Sequence, residues 1–367
     1  MAQPVGSVPR EELQVLASAF QELQRSLVER PDDRALLISA IKGMVRGADP
    51  ESGEYFTAEE FERYRQPAQG DAGAIGAHIR SIDKRFILVP LEDSPAAQAG
   101  IVFGDEVHAV DGVRVKGLTA SAIAKQLSGE PGTPVAITYF RESTLTVHTV
   151  QVVRSAFSPR GAYLSRPAPG VVQLRVPYFA TSTLKQATQA LSDAWRAEPF
   201  KALILDLRGC PGGTVESTVG IAALFLPKDA VVVQITGANP ESNATYRAAP
   251  EFYGWKTGGD PLADVPAQAR AVPMAVLIDG ATLSGGEIVA ASLQDHKRAL
   301  VIGRPTIGRA SIQTIRPLQM GAVKFTTGYW LSPLGRKIQG SGVVPDQLVE
   351  DPQDPGTVQS AIARLSK

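Results

Sequence analysis

Two stretches of this chain share one layout: a run of consecutive apolar residues, a turn of small residues, then a helix-forming segment. Leu203-Ile-Leu-Asp-Leu-Arg-Gly-Cys-Pro-Gly-Gly213 leads into a helical pattern over 215–226, and Ala275-Val-Leu-Ile-Asp-Gly-Ala-Thr-Leu-Ser-Gly-Gly-Glu287 leads into one over 285–295. A short, unbroken apolar run reads as a strand buried on both faces, which needs helices on each side of a parallel sheet. Similar runs at 171–176, 231–235 and 299–302, with a helical period over 184–195, continue the alternation. Strands alternating with helices specify an α/β core, here placed at 158–350.

The chain ahead of this core has two other textures. Leu13, Leu16, Phe20, Leu23 and Leu27 recur at three- and four-residue steps in a segment free of internal Pro or Gly, giving one apolar stripe on a first helix. A second helix over 33–45 starts at Asp32 or Asp33 as cap and stops near Gly47. The stripe covers a core or forms a homodimer contact through these amino-terminal helices; residues 1–70 are taken as this helical segment. A Gly-rich linker at 66–76 leads into short β-rich runs separated by turn signals, such as Arg85-Phe-Ile-Leu-Val89 and Val135-Ala-Ile-Thr-Tyr-Phe140, with one helix near 119–127. This reads as a small, curved β domain over 71–157. Within the core, 240–270 is polar and irregular and is expected to be a flap; 351–367 is a carboxy-terminal tail or helix.

Composition removes several function classes. Lys plus Arg and Asp plus Glu both total 37 among 367 residues, so no global field draws the chain to nucleic acid. The single cysteine, Cys210, excludes an internal disulfide. No apolar run reaches the ~20 residues that span a bilayer, and neither metal nor cofactor is expected. The amino terminus lacks a basic segment followed by an apolar stretch. That fits a cytoplasmic protein or an exported one lacking its signal.

Ser284 stands where a strand-to-turn segment opens a helix, so free backbone N–H groups and the helix dipole favour negative charge beside it. A tetrahedral oxyanion needs that environment. The same serine also fits a helix cap, with Glu287 three residues on completing a capping box. The loop 208–213 lets backbone approach a bound group closely and is a candidate source of a second oxyanion donor, or a plain tight turn. Four histidines are available, His78, His108, His148 and His296. The first three lie in or beside the β domain, and His296 sits ~18 Å along the helix from Ser284, beyond reach. The Gly-x-Ser-x-Gly elbow is also missing, with Thr282 at its first position. A Ser–His–Asp triad is therefore disfavoured, leaving a serine–lysine arrangement.

With these features in place, the chain resembles the carboxy-terminal processing (tail-specific) peptidases, a serine–lysine family with an inserted PDZ domain. Five segments carry the resemblance in order: 40–61, the PDZ-like Ser94-Pro-Ala-Ala-Gln-Ala-Gly-Ile-Val-Phe-Gly-Asp-Glu-Val107, Asp206-Leu-Arg-Gly-Cys-Pro-Gly-Gly213 with Cys210 where the family has Asn, Ser284-Gly-Gly-Glu287, and 324–346. The resemblance implies a ClpP/crotonase-like sheet, Ser284 as nucleophile, the Gly285 N–H as one oxyanion donor and Gly212 or Gly213 as the other. It also implies Gly73, Ala74, Ile75 and Gly76 as a PDZ carboxylate-binding loop, with the 119–127 helix as the far wall of the groove. Substrates would be proteins and peptides with free carboxy termini, an adaptor protein would be a further partner, and action outside the cytoplasm, in a bacterial periplasm, is expected.

One departure bears on activity. The family's base is a lysine 25 residues after the serine, with a glutamine four further on; this chain has Arg309 and Gln313. Burial can bring a lysine ammonium to neutrality near pH 8 for about 3 kcal/mol, whereas a guanidinium needs roughly 9 kcal/mol at neutral pH. An arginine orients groups or stabilises an anion but does not accept a serine proton. The chain is expected to be inactive or impaired as a peptidase. Arg309 marks a non-catalytic PDZ-based peptide binder or a substitution that traps an inactive state, or else Lys324 or Lys256 swings in as base.

Overall fold

The computed structural model describes residues 9–29, 31–65, 74–82, 85–238, 240–254 and 260–366. Gly73 and Lys256, both singled out above, lie outside them. The chain forms two compact units. Met1–Pro67, Gly237–Ser242 and Gln313–Thr327 make the first; Ala68–Thr236, Asn243–Ile312 and Gly328–Lys367 make the second. The 71–157 segment and most of 158–350 both lie in the second unit, where ion pairs and ring stacks join them. Residues 313–327, expected in the core, instead belong with the amino-terminal segment.

In the first unit, helix Arg10–Ser26 is followed by helix Asp33–Ala48, whose Ala35 N–H donates to the Asp32 carboxylate at 2.9 Å. That bond satisfies one of the free donors of the first turn. The stripe on the first helix stays exposed, with Leu13, Leu16, Leu23 and Leu27 all open to solvent. Strand Glu54–Thr57 pairs antiparallel with residues 321–324, setting Lys324 opposite Glu54. Tyr55 and Phe56 are buried there, and the Tyr55 hydroxyl donates to the Met320 carbonyl at 2.9 Å.

The second unit is built on a six-stranded sheet. Its order is Gln347–Leu348, Leu300–Gly303, Met274–Ile278, Ala202–Asp206, Val171–Arg175 and Tyr163–Ala168. All neighbours are parallel except the last pair. Every residue of Ala202–Asp206 and of Met274–Ile278 is buried, as the unbroken apolar runs require. Leu203, Leu205, Val276 and Ile278 pack on the side of helices Thr183–Ala197, Val215–Ala223 and Gly285–Asp295. Alternate residues Ile204, Ala275 and Leu277 pack with Ala361 of helix Pro355–Leu365. The run expected at 231–235 forms strand Val231–Gly237, but it pairs antiparallel with Ala244–Arg247 and lies outside the parallel sheet. Its hydrophobicity announces burial, not a partner. Within the expected flap, Leu262, Val265 and Ala269 are buried against the core, whereas Ala244, Thr245 and Arg247 are exposed.

The β domain in the same unit is an antiparallel sheet in the order Ala77–Ile82, Arg85–Pro90, Glu106–Val110, Pro134–Arg141 and Thr146–Val153. Leu88, Ile101, Ile123 and Ile137 are sealed in its core. Helix Ala120–Leu127, capped by the Thr119 hydroxyl, packs against it. Among the described residues strand Ala77–Ile82 ends the sheet order, and it contacts the Ala120–Leu127 helix.

His78 lies on that edge strand and stacks on Tyr178 of the core, with ring centroids 5.6 Å apart. Its Nε2 is buried with no hydrogen-bond partner among the described residues. Burial, then the neighbouring Arg80 charge, pushes its pKa down to about 4. The unfolded chain therefore takes up a proton here near pH 6.5, which the folded protein resists. This part of the stability is full above pH 6.5 and is lost as pH falls towards 4. Denaturation from pH 7 to pH 4.5 should show a loss of roughly 2–3 kcal/mol that His78→Gln largely removes; an identical pH dependence in the variant would refute this origin.

Candidate active site

The site is built by the two glycine-rich turns noted in the sequence. Strand Ala202–Asp206 runs into 207–213, and strand Met274–Ile278 runs through 279–283 to Ser284 at the entrance of helix Gly285–Asp295. The Leu283 N–H donates to the Cys210 carbonyl at 2.8 Å, tying one turn to the other. Thr282 adds a second tie, its hydroxyl donating to the Leu207 carbonyl at 2.9 Å. At Gly212, with φ of +96°, a Cβ would stand 2.9 Å from the Ser284 Cβ and 3.0 Å from the Gly285 nitrogen. Only glycine permits that approach.

Ser284 is half-buried and has φ of +49° and ψ of −110°, a strained backbone for a residue with a side chain. The turn thus has the sharp geometry of a nucleophile elbow without its usual sequence. Gly285 is the first residue of the helix, so its N–H has no partner within it. The Gly212 N–H faces the Cys210 sulfur, whereas Gly213 pairs with the segment around Phe179 through an isolated parallel bridge.

What holds Ser284 in this backbone is Glu287. The carboxyl is fully buried, and its Oε2 accepts both the Ser284 N–H and the Arg309 N–H at 2.9 Å. Oε1 accepts the Gly308 N–H at 2.7 Å and the Thr306 hydroxyl at 2.5 Å. Burial raises its pKa, against the lowering effect of these donors. The expected capping box is therefore present in its glutamate half and reaches further, because one oxygen joins the backbone of the serine to that of Arg309.

Arg309 is half-buried, and its charge is felt by Arg80, whose guanidinium on the edge strand Ala77–Ile82 points to the Pro211 carbonyl at 3.5 Å. Gln313 belongs to the first unit, where its amide donates to the Ser52 hydroxyl at 3.3 Å. His296 caps the carboxyl end of the serine's helix and contacts the Val231 carbonyl at 2.7 Å, away from Ser284 as the spacing predicts. The Cys210 thiol is wholly buried and pushed up to about 12 by that burial, so it stays protonated at neutral pH. In the expected carboxylate loop, Ala74 exchanges backbone bonds with Ser155 at 3.0 Å in each direction, and the Ile75 and Gly76 carbonyls accept from Ala96 and Leu91 at 2.8 Å.

Residues 170–349 match the description "Peptidase family S41", and 73–152 match "PDZ domain". A carboxy-terminal-processing protease of Bartonella bacilliformis is 32% identical over 339 residues, covering 91% of this chain and 74% of that protein. The chain belongs to the S41 carboxy-terminal processing peptidases. The carboxy-terminal processing protease CtpA of Bacillus subtilis is 26% identical over 340 residues, covering 92% of this chain and 69% of that protein. Among solved structures, the photosystem II D1 C-terminal processing protease shares the fold, with a TM-score of 0.75, 24% identity and 97% of each chain covered. S41 membership makes this a serine-type peptidase fold with a PDZ domain, and its substrates are proteins or peptides. Reading the sequence missed the reach of Glu287, and it missed Arg175 and Glu92, which converge on the start of the 208–213 turn. For Glu287, the residues Thr306 and Gly308 close to the base position are a signal in hindsight; the other two are far apart in sequence.

Proposed function

We propose that this S41 peptidase binds protein carboxy termini in its PDZ groove and offers the bound chain to Ser284, with hydrolysis impaired because Arg309 occupies the lysine position. The observation that carries this reading is the half-exposed serine held at φ of +49° beside Gly212 and Gly285. In this reading Ser284 Oγ attacks the scissile carbonyl, and the Gly285 and Gly213 N–H groups receive the developing oxyanion. Gly212 contributes the space its missing side chain leaves. Arg309 does not accept the hydroxyl proton, because an arginine keeps its own. The same Arg309 favours a second reading, a PDZ-based peptide binder without turnover.

Both readings need recognition of a free carboxylate at the edge strand Ala77–Ile82. Fluorescence anisotropy with one labelled peptide, ending in a free carboxylate or an amide, tests it: amidation should weaken binding about tenfold or more. Equal affinities would sink carboxy-terminal recognition and leave Ser284 unaffected. The exposed stripe of Leu13, Leu16, Leu23 and Leu27 supports a homodimer through the first helix. Sedimentation should then show Leu16→Glu lowering the mass to that of one chain; a parent already monomeric at micromolar concentration removes this part.

A further inference from the structure

Arg175 ends strand Val171–Arg175 and lies in register with Asp206, the last residue of the neighbouring strand. Its guanidinium sits between two carboxylates. On one side its Nε and Nη2 donate to Glu92 Oε2 at 2.9 and 2.7 Å. On the other its Nη1 lies 3.1 Å from Asp206 Oδ1 and donates as well to the Arg208 carbonyl. Asp206 is 1% exposed and also holds the Arg208 guanidinium, at 2.8 Å from Nε and 2.6 Å from Nη2. The cluster thus sets two guanidiniums against two carboxylates. Glu92 is the one member from the β domain, in the turn after strand Arg85–Pro90, and the Tyr163 hydroxyl donates to its other oxygen.

Removing the Glu92 charge would leave two guanidiniums on the single carboxylate of Asp206. The side chains of Arg175 and Arg208 are only 18% and 12% exposed, so that imbalance would fall where water screens poorly. Arg175 would then gain by turning towards solvent, and its hold on the Arg208 carbonyl would go with it. That carbonyl immediately precedes Gly209-Cys-Pro-Gly-Gly213, whose Gly209 N–H is fixed by Asp279 at 2.9 Å. One end of this loop is therefore anchored by the sheet, and the carbonyl before it by a residue that the β domain balances.

We propose that Arg175 and Glu92 are positioning residues: the PDZ-domain carboxylate keeps Arg175 on the Arg208 carbonyl, and this holds the loop 209–213 in the form that presents its N–H to the oxyanion. The proposal rests on reading 209–213 as the oxyanion loop. Its test does not need turnover, because the loop carries the chain's single thiol. Cys210 is fully buried, so a disulfide reagent reaches it only when the loop opens.

The measurement is the rate at which 5,5′-dithiobis(2-nitrobenzoate) modifies the full, folded chain well below its unfolding temperature. Each Cys210 thiolate that attacks the reagent's disulfide releases one thionitrobenzoate anion. Glu92→Gln should speed this reaction about tenfold or more, Arg175→Lys should do the same, and Glu92→Asp should fall between parent and Glu92→Gln. The double variant Glu92→Gln/Arg175→Lys should react no faster than the faster single one, because both release the same anchor. Ile123→Val loosens the β-domain core without touching the cluster and should keep the parent rate. A parent-like rate in Glu92→Gln overturns the proposal, as does equal acceleration by Ile123→Val. Ser284 takes no part in this reaction, so failure of the peptidase reading would leave the result intact and readable on its own.

Discussion

Changing Arg309 to lysine should raise cleavage of an unfolded protein such as casein by on the order of 10²–10³-fold, the usual worth of a positioned general base. The position is already built for it. The backbone of residue 309 is fixed by its N–H on Glu287 Oε2, the same oxygen that holds the Ser284 N–H at 2.9 Å. A lysine there starts from the same Cα, and its ammonium can lose a proton near neutrality at a few kcal/mol where a guanidinium cannot. Ser284→Ala in the lysine form should return cleavage to background, because the nucleophile is gone while the fold is kept. Activity surviving that change would move the nucleophile elsewhere. No gain from lysine would remove the impaired-peptidase reading and leave the peptide binder. Thermal stability should hardly change, since the anchoring bond at residue 309 is made by the backbone.

The strands and helices of the core were legible because their physics is local. Unbroken apolar runs such as Leu203–Leu205 and Val276–Ile278 mark strands buried on two faces, and both occupy the sheet's interior. Ser284 and Gly212 were legible for a similar reason, since a helix entrance and a close approach are read from a few neighbouring residues. Partnership was not. Val231–Gly237 shows the same hydrophobicity as its neighbours yet pairs with Ala244–Arg247, because strand order depends on loop paths that periodicity does not encode. The cluster of Glu92, Arg175, Asp206 and Arg208 was invisible because its charges come from three separate segments, and each alone reads as a solvated charge. Asp206 offered one clue: a carboxylate ending an apolar strand has to be paired to be buried. The place of residues 313–327 was not legible either, as they lie within the core in sequence but belong with the amino-terminal segment.

Glu287→Gln should cost the fold about 2–4 kcal/mol although the two side chains have the same shape. All four partners of the carboxylate are donors: the N–H groups of Ser284, Gly308 and Arg309, and the Thr306 hydroxyl. A carboxylate offers about four lone-pair directions and fills them. An amide presents its NH2 to one pair of these donors in either orientation. Turned towards Thr306, it lets that hydroxyl rotate and accept, as it already does from Val343 at 2.8 Å, but the Gly308 N–H is left facing a donor. Turned the other way, it strands the N–H groups of Ser284 and Arg309 together. Losing the buried charge works against this cost, since burial raises the glutamate's proton affinity. For a group with a raised folded pKa, the associated stability is full below the ordinary carboxylate value and declines as pH rises through the folded one. Denaturation between pH 4 and 8 should therefore show a component that falls with pH in the parent and is absent in Glu287→Gln. In the Arg309→Lys background the same change should lower kcat about tenfold or more, because an amide cannot satisfy all four donors at once and its hold on the strained Ser284 backbone weakens. A variant as stable as its parent within ~0.5 kcal/mol, with kcat intact, would show that the helix and the Gly212 contact position the serine without Glu287.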